Sequence, residues 1–188
     1  MNFFKHLFTI TRHRHKVMNI CFKIGIGFQG LFHDLSKYSP SEFFSGVKYY
    51  QGNRSPNAKE REVNGYSKAW LHHKGRNPHH YEYWQDNFDN GGHPVKMPEK
   101  YAFEMFCDYI GAARAYQGKN FSFQKELEWW DKKKSGNIAM HPQTKDFIDE
   151  MMKACVIYDE QVINKDCMRL IFNYTIIKPS LYEMNKGV

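Results

Sequence analysis

Histidine is over-represented in this sequence: there are ten, and four of them fall in the nine positions from His72 to His80, while His33 and Asp34 stand side by side. Neutral imidazole and carboxylate are the donors that borderline divalent cations accept together, and the adjacent pair offers one of each. His13 adds a third donor and Asp108 a fourth. Asp108 belongs to the stripe Glu104, Asp108, Gly111 and Ala115, spaced 4, 3 and 4, which puts two carboxylates beside small residues on one face of a segment that is otherwise apolar. Charge buried on a helix is costly unless it is paired or bound to a cation. A metal ion and a structural ion pair answer that cost equally well at this stage.

The second concentration of donors is the string from Trp70 to Trp84, WLHHKGRNPHHYEYW. Neighbouring residues of a helix project about 100° apart, so one member of each pair, His72/His73 and His79/His80, is expected to face a site while the other packs or meets solvent. A lone histidine there would read as a surface or packing residue; four together beside Lys74 and Arg76 point to chemistry. Lys37 lies three residues after Asp34, about one helical turn, so its ammonium can reach a group held on a metal. Tyr49, Tyr50, Trp70, Tyr81, Tyr83, Trp84, Trp129 and Trp130 read as core or pocket wall, and His6, His93 and His141 as incidental.

Helices must position these donors. Phe3 to Ile24 contains no Pro or Gly, and Ile10, His13, Val17, Ile20 and Ile24 recur at spacings of 3, 4, 3 and 4, so His13 rather than His15 points inward. Gly25, Gly27 and Gly30 are expected to end that helix and form a turn. Ser39-Pro40-Ser41-Glu42 has the pattern of a capped helix start, with the helix running to about Tyr50. Gln51 to Gly65 reads as a surface loop. Tyr66 to Lys74 reads as a helix, and Asn77-Pro78 as the start of another that carries His79 and His80 in its first turn. Pro98 opens the longest helix, through Tyr116, which should be central. Further helices are expected at about Ser122 to Lys134 and Pro142 to Ile163, with β-branched Met168 to Ile177 a strand or irregular tail.

At 188 residues the chain fits one domain, 1–188, without repeats or linkers. Its 41% apolar content excludes a disordered chain, and a net charge of +7 without a basic stripe points away from nucleic acid as a partner. No run of about 18 apolar residues and no signal-like N-terminus is present, so no membrane association is expected and the cytoplasm is the expected location. Cys21, Cys107, Cys155 and Cys167 form no C-x-x-C pair; they read as reduced thiols, which leaves nitrogen and oxygen to hold any metal.

The ordered set His13, His33-Asp34, Lys37, then His73 and His80 or their neighbours, then Asp108 resembles the HD-domain superfamily, whose signature is H…HD…H…H…D on an all-helical core. HDLSK resembles its HD-x-x-K form. The strings HDLSKYSPSEF, YYQGNRSP and AWLHHKGRNPHHYEYW are similar to those of an uncharacterised bacterial and phage family related to it, and the likeness covers about residues 10–145. The resemblance implies an all-α, single-domain helical bundle and a metal-dependent phosphohydrolase acting on a nucleotide or other small phosphoester. It implies one or two divalent ions (manganese, iron, nickel, cobalt, magnesium or zinc), with His13, His33, Asp34 and Asp108 holding the first. Histidines from the 72–80 cluster, His73 and His80 preferred, would hold a second ion or the phosphate. Asp34, Lys37 and Glu104 are then the expected catalytic groups, Glu104 as general base or as support for the metal ligands, while Lys74 and Arg76 would orient the anionic substrate. An HD-type di-iron oxygenase and a non-catalytic, metal-stabilised binding protein are the alternatives.

Overall fold

The long helix opened by Pro98 is the axis of the molecule, because it is the one segment apolar enough to be covered on nearly every side. In a computed structural model, which describes residues 2–86, 89 and 91–185 and side chains up to 177, this helix (α6, Glu99–Gln117) buries eleven residues, among them Phe103, Met105, Phe106 and Ile110. The ends of the expected 1–188 domain, Met1 and 186–188, lie outside the described residues. Around α6 stand α1 (Asn2–Lys23), α2 (Gly27–Phe32), α3 (Pro40–Lys48), α4 (Pro56–Asn64), α5 (Lys68–Lys74), α7 (Phe123–Ser135), α8 (Pro142–Tyr158) and α9 (Lys165–Asn185). The fold is all-α; among the described residues the only β-type pairing is an isolated bridge between Gln85 and Pro94. No described helix is long and apolar enough to cross a membrane.

One apolar core runs from Val17, Ile20 and Cys21 of α1 through Phe103, Phe106 and Ile110 of α6 to Trp130 of α7, Phe147 and Met151 of α8 and Met168 of α9. Cys21, Cys107 and Cys155 are buried in it as free thiols. Helix α1 lies directly on α6 because Gly111 has no side chain: a Cβ there would come within 2.5 Å of Val17 Cγ2 and 3.0 Å of its backbone nitrogen. That close approach brings His13, one turn before Val17, level with Asp108, one turn before Gly111.

Several expectations give way to tertiary packing. Gly27 and Gly30 do not form a turn; they lie buried inside α2, where a Cβ on Gly30 would stand 2.6 Å from Cys21 Cβ, so their function is to seat α2 against α1. The expected loop 51–65 contains α4, which starts at Pro56, stops at Gly65 (φ 80°) and buries a single residue, the charged Glu60. Hydrophobic periodicity cannot reveal a helix whose only inward residue is ionic. No helix restarts at Asn77; residues 77–80 are turns ahead of a short 3₁₀ segment, Tyr81–Tyr83. The helix expected to reach Ile163 stops at Tyr158, where Asp159 takes up φ 56°. Met168–Ile177 is helical within α9 despite its β-branched residues, because Met168, Phe172 and Thr175, spaced 4 and 3, are buried together and packing overrides a weak propensity.

Gly111→Ala should therefore separate α1 from α6. The expected loss is about 1–3 kcal/mol, or roughly 2–4 °C in Tm per kcal/mol, read by thermal denaturation; an unchanged Tm would mean that the helices are not in contact there.

Candidate metal centre

Two sets of donor atoms meet at one carboxylate. In the first, Asp34 Oδ2 lies 3.0 Å from His13 Nε2 and 3.3 Å from His33 Nε2, Asp108 Oδ1 lies 3.1 and 3.5 Å from the same two nitrogens, and those nitrogens are 3.4 Å apart. Donors that each stand about 2.1 Å from a shared ion are about 3.0 Å apart at 90° and about 3.4 Å apart at the tetrahedral angle. The measured spacings fall in that range. In the second set Asp34 presents its other oxygen: Oδ1 lies 3.2 Å from His73 Nε2 and 3.4 Å from His79 Nε2, while His73 Nε2 faces His80 Nε2 at 2.9 Å. Asp34 Oδ1 and His79 Nε2 are buried and lack hydrogen-bond partners despite their proximity. Atoms that close without hydrogen-bond geometry, all pointing at one space, fit a cation between them.

The backbone at Asp34 makes this double role possible. Asp34 has φ 57° and ψ 20°, a left-handed conformation uncommon outside glycine, at the join between α2 and the 3₁₀ turn Leu35–Tyr38. The reversal sends its side chain back between α1, α5 and α6.

Two further carboxylates hold the imidazoles from behind. Glu104 Oε1 accepts a hydrogen bond from His33 Nδ1 at 2.9 Å and lies 3.2 Å from His79 Nδ1, while its Oε2 accepts from Gln29 Nε2 at 2.7 Å. Glu42 does the same on the other side, accepting from His73 Nδ1 at 2.8 Å and from His72 Nδ1 at 2.6 Å. An ionised carboxylate can only accept, so in the neutral rings of His33 and His73 the proton sits on Nδ1 and the Nε2 lone pair faces the centre. Glu104 is thus occupied on both oxygens and does not line the cavity, so it supports the imidazoles instead of facing the cavity as a general base would.

Four buried carboxylates, Asp34, Glu42, Glu104 and Asp108, converge here. The ligand oxygens of Asp34 and Asp108 lie within 4.8 Å of one another; at an effective dielectric constant of about 20 two negative charges at that distance repel by about 3 kcal/mol. Without an ion, protons and Lys37 offset this repulsion. Burial alone would lower the His33 pKa, but Asp34, Asp108 and Glu104 outweigh it and raise it well above the ordinary value; His73 is raised in the same way by Asp34 and Glu42. Burial would raise Glu104, yet its bonds to His33 and His79 bring it down to about 2. Asp34 and Asp108 are likewise held well below the usual carboxylate range, against burial, by the neighbouring histidines and, for Asp34, by Lys37. His80 is shifted the opposite way, lowered by burial and by His79 and His73, so it is a neutral donor.

A cavity of about 170 Å³ opens onto this centre, lined among others by His13, Lys37, His73, His80, Asp108 and Tyr116. Lys37 donates directly to Asp34 Oδ2 and remains about a quarter exposed at the cavity wall. Lys74 and Arg76 do not line this cavity; the exposed Arg76 guanidinium donates to the His72 carbonyl. The expected substrate-orienting role is therefore corrected: His73 is the one α5 side chain in the donor sets, and neither cation lines the cavity. Within the pairs, His72 lies outside the donor sets and pairs with Glu42, whereas both His79 and His80 point inward. The 100° rule fails for the second pair because those residues are not helical.

His13 is buried and His15 exposed, as helical phase requires. The pattern Ser39-Pro40-Ser41-Glu42 assigns Glu42 to a cap, but Ser39 makes no side-chain cap and Glu42 faces inward; its hidden signal is its position, on the inner face with Phe43 and Gly46. Glu60 also escapes sequence reasoning, although it fixes the start of α5 by accepting from Ser67 Oγ at 2.5 Å and from the Ala69 amide at 3.3 Å. His6 is not incidental to packing: it is buried over Gly46, and burial and Lys37 lower its pKa to about 4. His141 caps α8, accepting from the Gln143 amide, and His93 is exposed.

Adding manganese at about 100 times its Kd should stabilise the full chain by about 2.7 kcal/mol, a rise of roughly 5–10 °C in Tm that EDTA reverses. Asp34→Ala should abolish the rise and most bound metal by elemental analysis of untagged protein, since it removes a donor from both sets. Glu42→Ala should weaken metal retention in the His73 set by roughly 10–100-fold and leave the His13 set loaded; equal loss from both would reject the division into two sets.

No curated protein and no solved structure matches the chain. The sequence does match DUF5662, a family of unknown function, over residues 2–154, a span that contains every donor of both sets, and the chain belongs to that family.

Proposed function

We propose that this chain is a metal-dependent phosphohydrolase of the HD-domain type, acting on a small phosphoester. The observation that carries the reading is the sharing of Asp34: one oxygen lies with His13, His33 and Asp108, the other with His73, His79 and His80. His13, His33, Asp34 and Asp108 would hold one divalent ion and Asp34, His73, His79 and His80 a second. Such ions, when bound, supply Lewis acidity toward phosphoryl oxygens and lower the pKa of water.

The chain's own groups divide the remaining work. Lys37, held on Asp34 and open to the cavity, places a positive charge where an anionic phosphoryl group would enter. Glu104 and Glu42 keep the imidazole rings from rotating. The small cavity has room for a phosphoryl group, and its walls bring Lys37, His13, His73, His80 and Asp108 close around that space. A cation in the cavity wall favours an anionic substrate.

The test is a panel of phosphomonoesters and phosphodiesters with untagged protein and added manganese, nickel, cobalt or magnesium, with phosphate release as the measurement. Hydrolysis should appear with at least one ion, disappear in Asp34→Asn, and fall by about 100-fold in kcat/KM in Lys37→Met. Inactivity across the panel, with oxygen consumed by the iron-loaded protein, would replace this reading with the di-iron one.

A further inference from the structure

The centre is not a closed pocket. Ser55, Asn57, Trp70 and His80 line both its cavity and a larger cleft of about 580 Å³, so the two are continuous. That volume is within the range of about 300–1,000 Å³ that small-molecule sites occupy. The metal cavity alone, at about 170 Å³, is too small for a whole organic phosphoester. The rest of such a molecule must extend past His80 and Trp70.

The walls of the cleft are unusual for a surface groove. Tyr109 follows Asp108 on α6, Trp129 and Lys133 lie four apart on α7 and share a face, Tyr81 follows His80, and Arg61 of α4 lies over the Trp70 ring at 5.6 Å. Lys134 pairs with Asp131 and Asp149, but its neighbour Lys133 turns into the cleft, its ammonium 5.4, 5.8 and 5.5 Å from the ring centroids of Tyr81, Tyr109 and Trp129. Burial holds that ammonium below the usual lysine value. Trp129, edge-on to Tyr109 at 5.2 Å, is still 43% exposed, an open ring face at the rim. Rings beside cations are the means by which proteins hold planar, electron-rich groups by stacking and by hydrogen bonds to their acceptor atoms.

We infer that this cleft is the leaving-group subsite of the phosphohydrolase proposed above, and that it selects phosphomonoesters whose alcohol carries a planar aromatic ring, of nucleoside size, through Trp70, Trp129, Arg61 and Lys133. The inference rests on that reading for the direction of the substrate: phosphoryl group at Asp34 and Lys37, alcohol beyond His80. In the reaction the water oxygen forms a new bond to phosphorus as the bond from phosphorus to the alcohol oxygen breaks. The alcohol leaves with one proton of the water and phosphate retains the rest. Glu82, on the same cleft, offers an acceptor for hydroxyl or amino groups of the departing part.

The test separates the subsite from the chemistry. With the full chain in EDTA, where hydrolysis is off, 5′-AMP and ribose 5-phosphate are titrated by calorimetry and by tryptophan fluorescence. The ring should make 5′-AMP bind at least about tenfold more tightly, with quenching that ribose 5-phosphate does not cause. Trp129→Ala and Lys133→Met, at half-exposed or exposed positions where folding is not in question, should each remove about tenfold of the 5′-AMP affinity and leave ribose 5-phosphate within about twofold. Equal affinity for the two ligands, or 5′-AMP binding indifferent to both substitutions, overturns the subsite whether or not the protein hydrolyses phosphoesters. Ring-dependent binding that both substitutions weaken, in a protein inactive with every ion of the panel, supports a ring-binding cleft and rejects the hydrolase.

Discussion

The carboxylate of Asp34 is buried, ionised and shared, and much of the chain is arranged around that fact. A buried carboxylate is stable only if positive charge or hydrogen-bond donors meet both its oxygens. Here His13, His33 and Lys37 stand at one oxygen and His73 and His79 at the other. A second aspartate, Asp108, faces the same imidazoles from α6. The arrangement gathers more negative charge than Lys37 can balance, and the donor spacing matches that of ligands around a cation.

Holding such a site demands rigidity at a distance from it. The α1–α6 contact, closed down to van der Waals distance by Gly111 against Val17, sets His13 beside Asp108. Glu104, tied to Gln29, and Glu42, tied to His72, lock the rings that would otherwise turn. Glu60 anchors the first turn of α5 through Ser67, and with it Trp70 and His73. Gly111, Glu104, Glu42 and Glu60 are charged or small and each is buried, which is why none contributes to a hydrophobic pattern. Their contribution is orientation, and it reaches the centre through hydrogen bonds between neighbouring elements.

The same elements that carry donors inward carry aromatic groups outward. Asp108 and Tyr109 are consecutive on α6, as are His80 and Tyr81 in the turn that follows α5, so one residue of each pair serves the centre and the next lines the adjoining cleft. Donor centre and ring-lined cleft are therefore neighbours by construction. Helix α7 supplies the far wall with Trp129 and Lys133, while Trp130, one residue on, is fully buried in the core with its indole N–H donating to Asp149 at 3.1 Å.

Much of this was written in local sequence. The 3- and 4-residue spacing of Ile10, His13, Val17 and Ile20 determines the inner face of α1, and the position of Asp108 beside small residues marks the inner face of α6, because a regular helix converts spacing into direction. The all-α class, the central helix and the inward positions of His13 and Asp108 were legible for that reason, while His33, Asp34, His73 and His80 were legible as neighbouring donor types rather than as directions. Tertiary structure alone decided the rest. Whether His79 joins His80 depends on a non-helical turn, the one inward residue of α4, Glu60, has its role in accepting hydrogen bonds from the start of α5, and whether Glu104 faces the cavity or the imidazoles depends on which rings reach it. Lys74 and Arg76 do not line the cavity: His73 is the buried donor of α5, and Arg76, beyond the end of that helix, turns back onto the His72 carbonyl. Spacing along a chain fixes direction only within a regular element; where two elements meet, the three-dimensional contact sets which atoms face each other.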